Sequence, residues 1–183
     1  LGLLLALSLF AVLYWGLATS SGARWLVHQA RLWAPDFSVA RVEGALLGRL
    51  VLQGVDYRNA TDRLHLDRLV LELNPAALRH GVLHIRALEL FGPQYASTDD
   101  SPVDWSSLKP PLDVLIERLR VSDASLKPAG SAAPLRVNRL DAALALTREG
   151  LDIRRIAWEL PEFTGELSGH AGLQGDRPVQ FKT

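Results

Sequence analysis

His65 and Asp67 are the first residues along the chain whose types and spacing suggest chemistry. Two positions apart on an extended segment they project from one face, and a third ligand would complete a metal site. The letters around them, DRLHLDRL, favour a plainer reading. Arg63, His65 and Asp67 alternate with Leu64 and Leu66, as on a strand with one solvated face. His80 and His84 have helical ligand spacing, but Gly81 falls between them and ends a helix there. Asp99, Asp100 and Asp104 sit in a Ser- and Pro-rich stretch without the regular acidic frame of a calcium loop. Ser168, in GELSGH, is out of frame for a G-x-S-x-G nucleophile elbow. Asn59-Ala60-Thr61 is a formal glycosylation sequon, meaningful only in a eukaryotic secretory setting. There is no Walker A loop and no G-x-G-x-x-G. These letters hold no enzyme signature, and we expect no catalytic residue, no metal site and no cofactor.

Bulk properties narrow the class further. The chain has 183 residues, with 20 basic and 20 acidic side chains and a formal net charge of zero. A nucleic-acid partner leaves a basic footprint, so none is expected. Zero cysteines excludes disulfides and cysteine-zinc sites without choosing a compartment. The sequence starts at Leu1, contains no Met and stops at VQFKT, which we read as a piece of a longer protein.

Residues 1–18, LGLLLALSLFAVLYWGLA, carry no charge, and the first charged residue is Arg24. About 18 apolar residues is the lower limit for crossing the hydrocarbon core. Leu3, Leu4, Leu5, Leu7, Leu9, Phe10, Val12 and Leu13 would form the body of a transmembrane anchor. Tyr14 and Trp15 stand where interfacial aromatics belong. A cleaved signal peptide, with its shorter apolar region, and a buried core helix are the alternatives. Residues 19–35 read as a short amphipathic helix. Ser20 or Ser21 caps it, Pro35 stops it, and Trp25, Leu26, Leu32 and Trp33 form its stripe. It would lie on a membrane surface or plug the open end of a sheet.

From residue 36 the apolar period changes to two. GRLVLQGVDYRN aligns Leu50 with Leu52, and Gly54 suggests a bulge. DRLHLDRLVLEL aligns Leu64 with Leu66, slips phase once, and continues through Leu69, Leu71 and Leu73. NPAALRHG reads as a short helix, with Asn74 at the N-cap, Pro75 at N1 and Gly81 at the left-handed C-terminal position. GVLHIRALELFGPQY aligns Leu83 with Ile85 and, after a slip at Ala87, Leu88 with Leu90. STDDSPVDWSSLKPP is a loop or crossover. LDVLIERLRVSDASL also fits a helix, but Val114, Ile116, Leu119 and Val121 repeat the strand pattern. LRVNRLDAALALTREG and the stretch from LDIRRIAWEL to GLQG add hairpin-like pieces. One formula recurs at Ile85, Ile116 and Ile153: IRALEL, IERLRV and IRRIAW. The fold class is mainly β, with a strand array over 36–183. Periodicity alone does not separate an open array from an antiparallel sandwich.

The order of these features resembles the N-terminal region of the TamB family. TamB is the inner-membrane subunit of the translocation and assembly module, similar to the AsmA-like, bridge-like lipid-transfer proteins. EGALLGRLVLQGVDY (43–57) resembles the family's glycine-framed first hairpin. LELNPAALRHGVLHIRALEL (71–90) resembles its strand–short helix–strand signature. The likeness runs from residue 1 to about residue 126. It implies an elongated, curved, antiparallel-type sheet with an open apolar groove, reaching across the periplasm from an inner-membrane anchor. It implies a role in outer-membrane protein assembly and secretion and in phospholipid transfer. Partners would be inner-membrane lipids, acyl chains in the groove, and an outer-membrane TamA-type protein met through the family's C-terminal domain. The groove lining so implied is Leu50, Leu52, Leu64, Leu66, Leu69, Leu71, Leu73, Leu83, Ile85, Leu88, Leu90, Val114, Ile116, Leu119 and Val121. A membrane-anchored β-sandwich that binds a protein through its loops is the competing expectation.

Overall fold

The computed structural model describes residues 19–22, 24–25, 36–99, 112–147, 150–172 and 180–182. The expected anchor, 1–18, lies outside these residues, as do Leu26, Leu32 and Trp33 of the amphipathic segment. Residues 20–22 and 24–25 are helical. The Gly22 N–H donates to Thr19 Oγ1 at 3.0 Å, so the cap is Thr19 and not Ser20 or Ser21. Among the described residues no helix is long and apolar enough to cross a membrane.

Alternation becomes strand throughout the rest. β1 is Phe37–Gly44, β2 Arg49–Arg58, β3 Asp62–Asn74, β4 Val82–Phe91 and β5 Gln94–Ser97. β6 is Asp113–Lys127, β7 Leu135–Leu146, β8 Gly150–Glu159, β9 Thr164–Gly172 and β10 Gln180–Lys182. Between β3 and β4, Pro75–His80 is a 3-10 segment. Pro75 opens it, and Gly81 closes it at φ 71°. Asn74 precedes it in extended conformation, but its side chain caps nothing and instead meets His84 Nδ1 at 3.0 Å.

All ten strands belong to one sheet, in the order β1-β2-β3-β4-β6-β7-β8-β9-β10, with β5 between β3 and β6. The sheet is mixed, which corrects the antiparallel expectation: β6 runs parallel to β4 and β5. β5 extends β4 past Gly92 and Pro93, and the chain then returns to begin β6 alongside the start of β4. Gly92, at φ 60°, donates to the Ser122 carbonyl at 3.0 Å, and Ser125 N–H donates to the Pro93 carbonyl at 2.8 Å. These bonds carry the β6 ladder across the break. Every described strand belongs to this sheet, so there is no second sheet among the described residues.

The recurring Ile formula proves to be a bulge signature. Ile116 faces Leu144 and Leu119 faces Ala142, so β6 uses one more residue than β7. Ile153 faces Gly169 and Ile156 faces Leu167, so β8 uses one more than β9. β4 gains its extra residue at Arg86, between Ile85 (opposite Leu73) and Ala87 (opposite Glu72). An extra residue reverses the alternation and bends the strand. The two apolar halves of each formula therefore stay on one face. β4 and β6 bulge together, because Ile85 faces Ile116 and Leu88 faces Leu119 in unbroken parallel register.

Gly54 does not form the expected bulge. The register of β2 runs through it unbroken against both β1 and β3. Gly54 instead takes φ 58°, and a Cβ there would stand 2.9 Å from Ala40 Cβ. Three strands change phase abreast at this line: Val39 to Val42, Leu52 to Val55, and Leu66 to Leu69. All six pack in one apolar cluster. Gly92 and Asp123, the latter at φ 57°, are the left-handed residues of β4–β5 and β6 near the same line.

Candidate functional site: an apolar face written in rows

Cross-strand register turns separate alternations into continuous rows. One row runs Leu52, Leu69, Leu90, Val121, Leu140, Trp158. The next runs Leu50, Leu71, Leu88, Leu119, Ala142, Ile156, Leu167. A third runs Leu73, Ile85, Ile116, Leu144, Ile153, and a fourth Leu83, Val114, Leu146, Leu151. Strands stand about 4.8 Å apart, so the seven-strand row spans roughly 29 Å. Directly opposed side chains on one face are close enough to touch, which makes each row an unbroken apolar strip.

All fifteen groove residues expected from the sequence lie on described strands. Leu50, Leu52, Leu66 and Ile85 are buried, and the other eleven are half-buried. Leu64 and Leu66 belong to the cluster with Val39 and Val55, beyond the phase change. The apolar rows continue through Leu140, Leu144, Leu146, Ile153, Ile156 and Trp158, which the expected lining did not include. Their signal was present: LDAALAL alternates as cleanly as the earlier strands. Gly165 completes this end by leaving room for the Trp158 indole, whose ring carbons lie 2.3 Å from where a Cβ would be.

The opposite face is mostly polar and cross-linked, with Val70, 1% exposed, buried within it. Between the first two apolar rows lies Val51, Val70, Glu89, Arg120, Asp141, Ala157, Glu166. Arg120 Nε reaches Asp141 Oδ1 at 2.8 Å, and Arg139 bonds the other Asp141 oxygen. Burial pushes the Asp141 carboxyl up, but these two guanidinium bonds outweigh it and hold it below the usual range. Arg155 meets Glu166 at 2.9 Å, and His84 Nε2 meets Glu117 at 2.7 Å. Arg68 sits over the Phe91 ring, 5.6 Å from its centre.

His65 and Asp67 fall on this polar face, as expected. His65 Nδ1 lies 2.8 Å from Asp56 Oδ1, and Nε2 lies 3.3 Å from Asp67 Oδ1. The Asp56 hydrogen bond raises the imidazole above its usual 6.5. Among the described residues no group of three His, Cys, Asp or Glu is arranged to hold a metal ion. Asn59, of the formal sequon, is tied into the β2–β3 turn through Tyr57 and Asp62. Hydrogen bonds from Asn59, Tyr95, Ser97 and Thr61 hold the Asp62 carboxyl at about 2. Asp100 and Asp104 lie outside the described residues.

Such a face can do one thing well. It offers apolar contact without directional groups: no polar or charged side chain is buried among the described residues. It would hold hydrocarbon by exclusion of water alone, and equally at each strand.

A family model described as "TamB, N-terminal domain" matches residues 9–106, more than half of the chain. No curated protein and no solved structure matches it.

Proposed function

Because the chain belongs to the TamB N-terminal-domain family, we propose that its apolar sheet face carries acyl chains from strand to strand. The family is membrane-associated in bacteria, is not a known enzyme family, and gives the chain a role related to translocation and assembly. In this proposal residues 1–18 anchor the protein in the inner membrane and the sheet stands in the periplasm. Phospholipid moves along the rows between the two membranes, and the protein supports outer-membrane protein assembly and secretion. A TamA-type partner is engaged through the family's C-terminal domain.

One observation carries the reading: apolar rows, the longest crossing seven strands, lie on one face of a single sheet that contains every described strand. Each CH2 exposed to water costs roughly 0.8 kcal/mol, so a tail of about 16 carbons resists leaving a bilayer by order 10 kcal/mol. A strip that offers the same surface at every strand spacing, about 4.8 Å, removes most of that barrier. Leu, Ile and Val suit the task because they hold without specificity. No observation favours the sandwich alternative, which needs a second sheet against the first.

Photo-crosslinking in cells tests the proposal. A photoreactive residue at Leu88, on the apolar row, is expected to capture phospholipid; one at exposed Arg86 is not. Capture at neither position, with Leu88 joined only to its own chain, would overturn the conduit.

A further inference from the structure

One end of the sheet differs from the other. There the last apolar row, Tyr57, Leu64, Tyr95, Leu126, Leu135, backs directly onto a cationic row, Arg58, Arg63, Ala96, Lys127. The two rows occupy consecutive positions of the same strands, so they lie on opposite faces of one rim. Arg58, Arg63 and Lys127 line a cavity of about 370 Å³ together with Asp56, His65 and Gln94. A second cavity, about 340 Å³, adjoins it at Pro134 and is walled by Leu135, Leu160, Pro161 and Phe163. Arg136 stands beside it.

The cations here are unpaired. Arg58, Arg63, Lys127 and Arg136 are exposed and make no ion pair with any described residue. The nearby carboxylates Asp56 and Asp62 are already engaged, by His65 and by Asn59, Thr61 and Tyr95. Asp123 and Glu162 lie further along the two cavity walls. Elsewhere on the polar face Arg120, Arg139 and Arg155 are paired, and Arg86 and Arg118, which pair with no described residue, do not line this cavity with the other cations. Beside the unpaired cations, large apolar side chains face water: Leu135 is 53% exposed and Phe163 58%. Cations next to exposed hydrocarbon are the complement of an amphiphile with an anionic head. The chain also enters the sheet at this rim, where Phe37 faces Tyr57 and Arg58 N–H donates to the Asp36 carbonyl at 3.0 Å. A segment that reaches a membrane through residues 1–35 would bring this end nearest to it.

We propose that this rim binds anionic phospholipid at a bilayer surface: the phosphate meets Arg58, Arg63, Lys127 and Arg136, and the acyl chains meet Leu135, Leu160 and Phe163. The site rests on the conduit reading for its purpose, as the place where lipid is taken up. It does not depend on that reading for its chemistry.

The test uses the full chain in nanodiscs, with a photoreactive residue at Leu135. Discs contain phosphatidylcholine alone or phosphatidylcholine with phosphatidylglycerol. Lipid capture is expected to rise with phosphatidylglycerol and to fall about fivefold for each cation neutralised, so about 25-fold in the Arg63→Gln/Lys127→Gln variant. Arg79→Gln, at the opposite end of the sheet, is expected to leave capture unchanged. Equal capture in both disc types, or equal loss in Arg79→Gln, overturns the proposal. Loss of the phosphatidylglycerol-dependent gain in capture when free inorganic phosphate is added at the concentration of the anionic lipid assigns the cations to soluble phosphate, and also overturns it. A probe at Leu88 in the same discs separates the two ideas. Capture at Leu88 without anionic preference at Leu135 removes the rim site and keeps the conduit; the reverse keeps a membrane dock and removes the conduit.

Discussion

Leu88→Glu asks directly whether the apolar face is open. Leu88 lies in the middle of the longest row, between Leu71 and Leu119, and is half-buried. Fully burying a leucine stabilises by about 1.5–3 kcal/mol, so a half-buried one contributes about 1 kcal/mol. On an open face the new carboxylate keeps its water, and the total loss is about 1–1.5 kcal/mol. Beneath a second layer the same carboxylate would be an unpaired buried charge, at about 3–5 kcal/mol. Val70→Asp provides the scale, because Val70 is only 1% exposed. It is expected to lose at least about 4 kcal/mol, the range for a buried charge with no partner. Equilibrium urea unfolding followed by circular dichroism reads both, with the slope checked for constancy. If Leu88→Glu proves as damaging as Val70→Asp, the face is covered and the row argument fails.

Three further outcomes follow from local geometry. Gly54→Ala is expected to cost about 2 kcal/mol in the same unfolding assay, from the left-handed backbone and the crowding of Ala40. Adding Ala40→Gly should recover only the crowding part, and full recovery would mean the backbone is unstrained. Deleting Arg154 removes the extra residue of β8 and turns Ile153 and the residues before it to the wrong face. We expect a loss of several kcal/mol, while Arg154→Ala stays within about 0.5 kcal/mol of the parent, as surface substitutions usually do; equal effects would refute the bulge reading. His65 has a folded value raised above 6.5, so its stabilisation is complete below 6.5 and is lost as pH rises through the folded value. The stability gap between the parent and His65→Gln should therefore be wider at about pH 5.5 than at about pH 8.5, and a gap that widens with pH would contradict it.

Much of this fold is legible in the letters. Alternation located every long strand, and Pro75 and Gly81 bracketed the short helical insert because their backbone limits are local. LDVLIERLRVSDASL resolved to strand β6, since Ile116 and Leu119 follow the bulge spacing and not a helical stripe. The phase slip at Ala87 was visible, but its meaning was not: a bulge is defined by the partner strand, and Leu73 opposite Ile85 cannot be read from β4 alone. The parallel pairing of β4 and β6 was hidden for the same reason, because alternation encodes a face and not a neighbour. Gly54 misled because a glycine in a strand signals either a bulge or a close approach, and only Ala40 decides between them. The rim cations were overlooked because Arg58, Arg63 and Lys127 are distant in sequence and gather only through register.

The parallel seam between β4 and β6 also sets the order in which the sheet can be assembled. β1 to β4 pair as successive hairpins, and so do β6 to β9, each across a short connection. The seam is the longest ladder that joins residues 31 positions apart along its whole length, as Ile85 with Ile116 shows, and the short β5 ladders lie beside it at similar separations. Closing a longer loop costs more chain entropy before any contact rewards it. Each half can therefore form its hairpins independently, and the seam is the slowest step to zip. Until it closes, both halves present an unsatisfied inner edge. The halves of two neighbouring chains could then pair as readily as the halves of one, so domain exchange at β4–β6 is the misassembly this topology has to outrun.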